Sequence, residues 1–215
     1  FSLMLCFIAP ISTAATLVFS SPPIGEHFTC ARTALTQAYK TLDHQVSFTT
    51  YPIKRSIKIS NEGLVDGELA RVASAGSLFT NLIQIPIPIC IIESVVLARK
   101  DIQLNQYKEL KDHKLIMVSG YIIQEQLVQK HQLNVTRLPR LDSLITMINK
   151  GMVDVALLSR QHAEEIIRHT NGAQFRVAES LSFKVNLYHF LHKKHQALVP
   201  QITDILQSMT KKGEI

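Results

Sequence analysis

Glycine and proline are scarce in this chain of 215 residues, with 8 of each, and this scarcity excludes collagen-like and low-complexity proteins. Long apolar runs are also missing, because the most apolar later segment, 82–98, is interrupted by two prolines and Glu93. The formal net charge is +6, but the basic residues are scattered from Arg32 to Lys212. Without a basic stripe carrying aromatic residues, nucleic acid is not an expected partner.

The usual signatures of enzymes and metal sites are missing too. There is no glycine-rich phosphate loop, no HExxH run and no serine in a nucleophile elbow. His189, His192 and His195 recur every third residue, but their segment changes from strand to helix, so the three rings need not converge on a metal. We therefore expect a non-enzymatic protein without metal or cofactor.

Cysteines are few as well. Beyond the first 15 residues the chain has only Cys30 and Cys90, which are too few to define a disulfide framework. A single disulfide and two buried thiols both remain open at this point.

The first segment, Phe1 to Ala15, carries no charge and holds a short apolar run followed by small residues. The run is too short for a membrane-spanning helix, and its small residues are typical of a signal-peptidase site. We predict a signal peptide over 1–15, cleaved after Ala14 or Ala15, and hence export to the periplasm of a Gram-negative source. The alternative is a buried first strand or helix.

What the chain does contain is a regular alternation of predicted strands and helices, with helices predicted around 104–110, at 141–149 and at 160–169, among others. Apolar residues make up 46% of the chain and charged residues 19%, a composition that supports a folded core. Alternating strands and helices favour an α/β fold with parallel sheets. Two long extended runs, at 83–100 and 183–192, predict two lobes joined by two crossover strands, with a central ligand cleft. Lobe 1 would comprise 16–92 and 190–215, and lobe 2 would comprise 93–189.

Several motifs carry a family resemblance. The most specific are YPxxRS at 51–56 and NxGxxDGExxR at 61–71, supported by PIP at 86–88, LKDHK at 110–114 and NKGMVDVA at 149–156. In order and spacing they resemble the bacterial extracellular solute-binding proteins of family 3, which have the type II periplasmic-binding-protein fold.

This resemblance implies a monomeric periplasmic protein that closes on a small polar or anionic solute, such as an amino-acid-like compound or an organic acid. The protein would deliver this solute to an ABC permease in the inner membrane. One alternative is a ligand-sensing module for a separate membrane signalling partner. A second is a dehydratase-like enzyme on the same fold, with Glu68 as acid or base.

In lobe 1 the family pattern implies that Arg71 holds a ligand carboxylate, for which its planar guanidinium is well suited. The alternatives are a surface arginine or an ion pair with Glu68, and Glu68 itself is a candidate contact for a cationic group. Tyr51 and Arg55 flank a strand-to-helix junction, where the tyrosine would stack on a ligand or line the rim. Ser20 and Ser21 lie in the first strand-to-helix loop and are further polar candidates.

In lobe 2 the candidates follow two predicted strands. Ser119 and Tyr121 open a helix whose free N–H groups favour an anion. Ser159 and Arg160 stand where amino-acid binders of the family place an acid for the ligand's ammonium group. This departure from the pattern favours an anionic or uncharged ligand.

Overall fold

The computed structural model describes residues 16–22, 28–169 and 174–215. The predicted signal peptide therefore lies outside the described residues. Within these ranges no helix is long and apolar enough to span a bilayer.

Strands and helices alternate through the first part of the chain, and their residue types explain why. Helix α1 turns its small and apolar residues inward, whereas every residue of β3 is buried, as expected for a central strand. The elements are β1 (Thr16–Ser21), α1 (Thr29–Lys40), β2 (Gln45–Thr50), α2 (Ile53–Asn61), β3 (Gly67–Val72), the short α3 (Ala75–Leu78) and the long β4 (Leu82–Arg99).

The alternation continues in the second part, whose described residues also include short 3₁₀ helices. These lie at Tyr107–Asp112, Glu179–Leu181 and Lys193–Leu198. The other elements are β5 (Leu115–Val118), α4 (Ile122–His131), β6 (Thr136–Leu138), α5 (Leu141–Asn149), β7 (Val155–Ser159), α6 (Arg160–His169), β8 (Phe175–Val177), β9 (Phe183–His192) and α7 (Val199–Lys211).

The nine strands found in the described ranges join in one mixed sheet, in the order β2-β1-β3-β9-β4-β7-β5-β6, with β8 pairing with β4. The outer strands on each side run parallel, whereas β4 and β9 are antiparallel to each other and to their neighbours β7 and β3. We call β1–β3 with α1–α3 and α7 lobe 1, and β5–β8 with α4–α6 lobe 2. Strands β4 and β9 run through both lobes and are the crossover strands.

Each lobe has its own apolar core. In lobe 1, α1 and α7 cover one face of the sheet, with Leu35, Leu69 and Leu206 fully buried. In lobe 2, separate clusters cover the two faces of the sheet, one around Leu144 and the other around Leu110. The two cores meet where Gly120, at φ +97°, approaches Ile53 of lobe 1 so closely that a Cβ atom would lie 2.8 Å from its Cγ2. A side chain at position 120 would be strained at this positive φ and would force Ile53 or Lys54 to shift.

Cys30 and Cys90 form a disulfide in the structure. The bond joins the first turn of α1 to crossover strand β4, and their Cα atoms are 6.1 Å apart. Of the two alternatives that the sequence left open, a single disulfide and two buried thiols, the structure shows the disulfide.

Candidate functional site

The carboxyl ends of the parallel strands from both lobes border a common cleft, where ligands are expected in open α/β sheets. This topology brings together residues distant in the chain, because every strand-to-helix junction lies at that edge. In lobe 1 the strands end at Ser21, Thr50 and Val72, and in lobe 2 at Val118, Leu138 and Ser159.

A cavity of about 50 Å³ lies within this cleft and receives side chains from both lobes and both crossover strands. Its walls are mostly apolar, and among the predicted site residues it includes Arg71, Tyr121 and Ser159. The described lining residues are Phe28, Ala70, Arg71, Val72, Ile92, Tyr121, Ile122, Ile123, Gln124, Ser159, Gln161, His162 and Leu187.

The first turn of α4 forms one wall of the cavity. The first N–H groups of any helix have no acceptor within the helix, and the N-cap residue here, Tyr121, makes no side-chain capping bond to them. Burial raises the pKa of the Tyr121 phenol, which therefore stays neutral at physiological pH. Ile122 and Ile123 pack against the core of lobe 1. The start of α4 is thus both a wall of the cavity and the contact between lobes.

Gln124, in the same turn, is the most unusual polar residue of the cavity. Only 2% of its surface is exposed, and its Oε1 has no hydrogen-bond partner among the described residues. A buried amide oxygen without a partner costs roughly 1–3 kcal/mol, so such groups generally have a functional or structural partner. The sequence did not single out Gln124, because nothing local distinguishes it from the other glutamines of α4.

Behind the cavity wall, Glu68 is fully buried and surrounded by hydrogen-bond donors. Ser56 Oγ donates to its carboxylate at 2.9 Å, Ser60 Oγ lies 3.1 Å from Oε2, and Ser20 Oγ also donates to Oε2. Arg71 Nε completes the set at 2.7 Å from Oε1. The carboxylate is therefore saturated from inside lobe 1, and Glu68 does not line the cavity.

Arg71 is 7% exposed and connects this cluster to the cavity. Its Nε bonds Glu68, and its Nη2 donates to the backbone oxygen of Ile53 at 3.0 Å. The ion pair with Glu68 thus forms, and it compensates the charge that Arg71 would otherwise present to a ligand.

Ser159 and His162 face each other at the start of α6. Ser159 Oγ lies 3.1 Å from His162 Nδ1 and also accepts the His162 backbone N–H at 3.5 Å, which is the position of an N-cap. The His162 ring stands edge-on to Tyr121, with centroids 6.3 Å apart. This group provides polar atoms on the lobe 2 side of the cavity.

Arg160, next in the chain, is bonded elsewhere. Its guanidinium contacts Glu93 of β4 at 2.5 Å and Glu179 at 2.5 Å. The bond from Arg160 lowers the pKa of the Glu93 carboxyl. Arg160 is not among the residues that line the cavity.

The other predicted residues lie around the cleft but do not line the cavity. Arg55 is exposed and lies 5.9 Å from the centre of the Tyr51 ring. Ser21 Oγ donates to the Pro22 carbonyl at 3.0 Å, and the Ser119 backbone N–H donates to Leu138. The structure thus brings together Arg71, Tyr121 and Ser159, and places the rest behind or beside them.

The three C-terminal histidines have separate surroundings. His189 is buried, with Tyr39 Oη 3.0 Å from Nε2 and the Glu68 carbonyl 2.9 Å from Nδ1, whereas His195 contacts Asp66 at 2.6 Å. Within 16–22, 28–169 and 174–215, no three histidine, cysteine or acidic side chains are grouped to hold a metal ion.

Comparison with protein families and with curated proteins does not assign the chain to a family. No family model matches it. A protein of Shewanella oneidensis that is described as uncharacterized is 26% identical over 212 residues, which cover 94% of this chain and 78% of that protein.

Two solved structures are similar over nearly the whole chain. A histidine kinase sensor domain with similarity to periplasmic binding proteins has a TM-score of 0.74 at 14% identity, covering 93% of this chain and 92% of that one. A mutant of arginine-bound ArgBP from T. maritima has a TM-score of 0.74 at 11% identity, covering 90% and 95%. The predicted two-lobed periplasmic-binding-protein-like fold is therefore confirmed.

Proposed function

We propose that this chain is an exported solute-binding protein of extracellular family 3 that captures a small molecule between its two lobes. The observation that carries the proposal is Gln124, whose buried Oε1 has no partner within the described part of the chain and lies at the wall of a cavity between the lobes. Arg71, Tyr121 and Ser159 converge on the same cavity. A few polar groups in a mostly apolar cleft are typical of small-molecule sites.

The test is a thermal-shift and calorimetric screen of several hundred small metabolites against the full chain. We expect at least one compound to raise the melting temperature of the parent and of Gln129→Leu, an exposed control on the same helix, but not that of Gln124→Leu. If no compound stabilises the parent, solute capture is wrong, whereas an equal response of Gln124→Leu would show that the solute binds without Gln124.

Delivery of the solute to an ABC permease is the role that the sequence motifs favour. A sensing role is the second candidate, because a histidine kinase sensor domain is among the similar structures. Deleting the gene and following both uptake of the labelled solute and transcription separates the two roles. Lost uptake supports import, whereas unchanged uptake with a lost transcriptional response supports sensing.

Catalysis by Glu68 is not part of the proposal. A general acid or base must come within hydrogen-bonding reach of the reacting proton. Glu68 is 0% exposed and its oxygens are engaged by Arg71 and three serine hydroxyls. We expect binding without turnover when the solute is incubated with the protein and followed by mass spectrometry.

A further inference from the structure

The charge at the cavity is already balanced. Among the described lining residues Arg71 is the only arginine or lysine, and none is a carboxylate. The Arg71 guanidinium lies 2.7 Å from Glu68, so a ligand anion beside it would also meet this buried carboxylate. A ligand ammonium group would find no counter-ion on these walls. Because burying an unpaired charge is costly, both arrangements disfavour a charged ligand.

The polar groups at the start of α4 instead fit a neutral ligand that both donates and accepts hydrogen bonds. Among the described residues the Gln124 Oε1 has no donor, and the first N–H groups of the helix have no acceptors within the helix. A carboxamide group carries an N–H donor and a carbonyl acceptor side by side. It therefore matches both needs with one polar end.

The remaining walls fit an apolar body. Phe28, Val72, Ile92 and Leu187 face the cavity together with Ile122 of α4. Burying CH₂ and CH₃ groups against such walls is favourable because it removes apolar surface from water. The cavity of about 50 Å³ is also far below the several hundred Å³ of pockets for drug-sized ligands. The ligand is therefore small.

We infer that the cleft takes a small uncharged molecule with an apolar body and an amide-like polar end, rather than an α-amino acid or an organic anion. The inference rests on the proposed function and specifies its ligand class. Gln124 is the residue that sets this specificity, because it offers the only unpartnered buried oxygen among the described lining residues.

The experiment uses four probes that share an isopropyl group and differ in charge: isobutyramide, isobutyrate, isobutylamine and valine. Each is titrated into the full chain by calorimetry at about pH 8, where a carboxylate and an alkylammonium group of ordinary pKa both carry their charge. We expect isobutyramide to bind at least tenfold more tightly than the other three. Gln124→Leu should weaken its binding at least tenfold, and Gln129→Leu should leave it unchanged.

The outcomes distinguish this inference from the proposed function. If isobutyrate, isobutylamine or valine binds as tightly as the amide, the ligand class is wrong and solute capture stands. If none of the four binds, the ligand class is wrong as well, and the metabolite screen decides on solute capture alone. If the amide binds equally to Gln124→Leu, Gln124 does not determine specificity and the inference is overturned.

Discussion

Arg71 in lobe 1 and Arg160 in lobe 2 each lie near the cleft beside a crossover strand, yet their surroundings differ. Arg71 is 7% exposed and shares one carboxylate with three serines inside the lobe. Arg160 has a side chain 27% exposed and bonds two carboxylates in contact with solvent. The number of partners that an arginine has is therefore a poor guide to how much stability its ion pairs contribute. Burial matters more, because it determines how much free energy an unpaired charge costs.

The same contrast extends to the lobes. Lobe 1 contains the buried Glu68–Arg71 pair, the buried contact between Tyr39 and His189, and the disulfide from α1 to β4. The ion pairs described in lobe 2, such as Arg137–Glu125 and Arg160–Glu179, have partly exposed side chains instead. We therefore expect lobe 1 to lose stability through specific polar changes, whereas lobe 2 tolerates changes in its ion pairs.

Removing the buried carboxylate should have the largest effect. Glu68→Leu leaves Arg71 charged and unpaired, and we expect the free energy of unfolding to fall by roughly 3–5 kcal/mol. Urea denaturation followed by circular dichroism measures the change. The double variant Glu68→Leu/Arg71→Met should recover part of the loss, and a single-variant loss below about 1 kcal/mol would contradict the burial argument.

Breaking the disulfide should cost slightly less. Cys30→Ser/Cys90→Ser releases a loop closed across 60 positions, and we expect a loss of roughly 2–5 kcal/mol. Hydrogen exchange should accelerate in α1 while α5 in lobe 2 keeps its protection. Equal acceleration in both helices would show that the lobes unfold together and that the contrast between them is wrong.

We predict that the buried imidazole of His189 makes the folded state less stable at acidic pH. Burial lowers the pKa of its imidazole to about 4, below the usual 6.5, so the unfolded chain takes up the proton first. Its contribution to stability is complete above pH 6.5 and is lost as pH falls towards 4, by up to about 1.4 kcal/mol per pH unit.

Free energies of unfolding measured from pH 6.5 down to about 4 test whether stability falls with pH in this direction. His189→Asn should flatten the slope, whereas His131→Asn in lobe 2, where the ring stacks on Tyr107, serves as the matched control. A slope that is unchanged in His189→Asn would rule out His189 as its source.

The smallest effect is expected at Arg160. Arg160→Gln removes the contacts to Glu93 and Glu179 at a partly exposed site, so we expect a loss below about 1 kcal/mol. The same denaturation measurement applies, with Arg137→Gln, which removes an exposed pair with Glu125, for comparison. A loss as large as that of Glu68→Leu would remove the distinction between the two arginines.

Most of the fold followed from local patterns. The predicted bounds of α5, α6 and β9 coincide with the observed ones, because apolar periodicity and turn residues act within a few positions. The short α3 and β8 were not predicted, and the helix expected around Leu104–Leu110 is a 3₁₀ helix at Tyr107–Asp112. Such short elements depend on contacts with the rest of the protein more than on their own sequence.

For the candidate site, the sequence determined which residues follow the strands and therefore reach the cleft, including Arg71, Tyr121 and Ser159. Tertiary structure decided what they contact. In a regular strand residues 68 and 71 point to opposite faces, but a register shift in the pairing of β3 with β9 falls between them, and they bond. Gln124 became a candidate only when α4 packed against lobe 1, because its missing partner is a property of burial between distant segments.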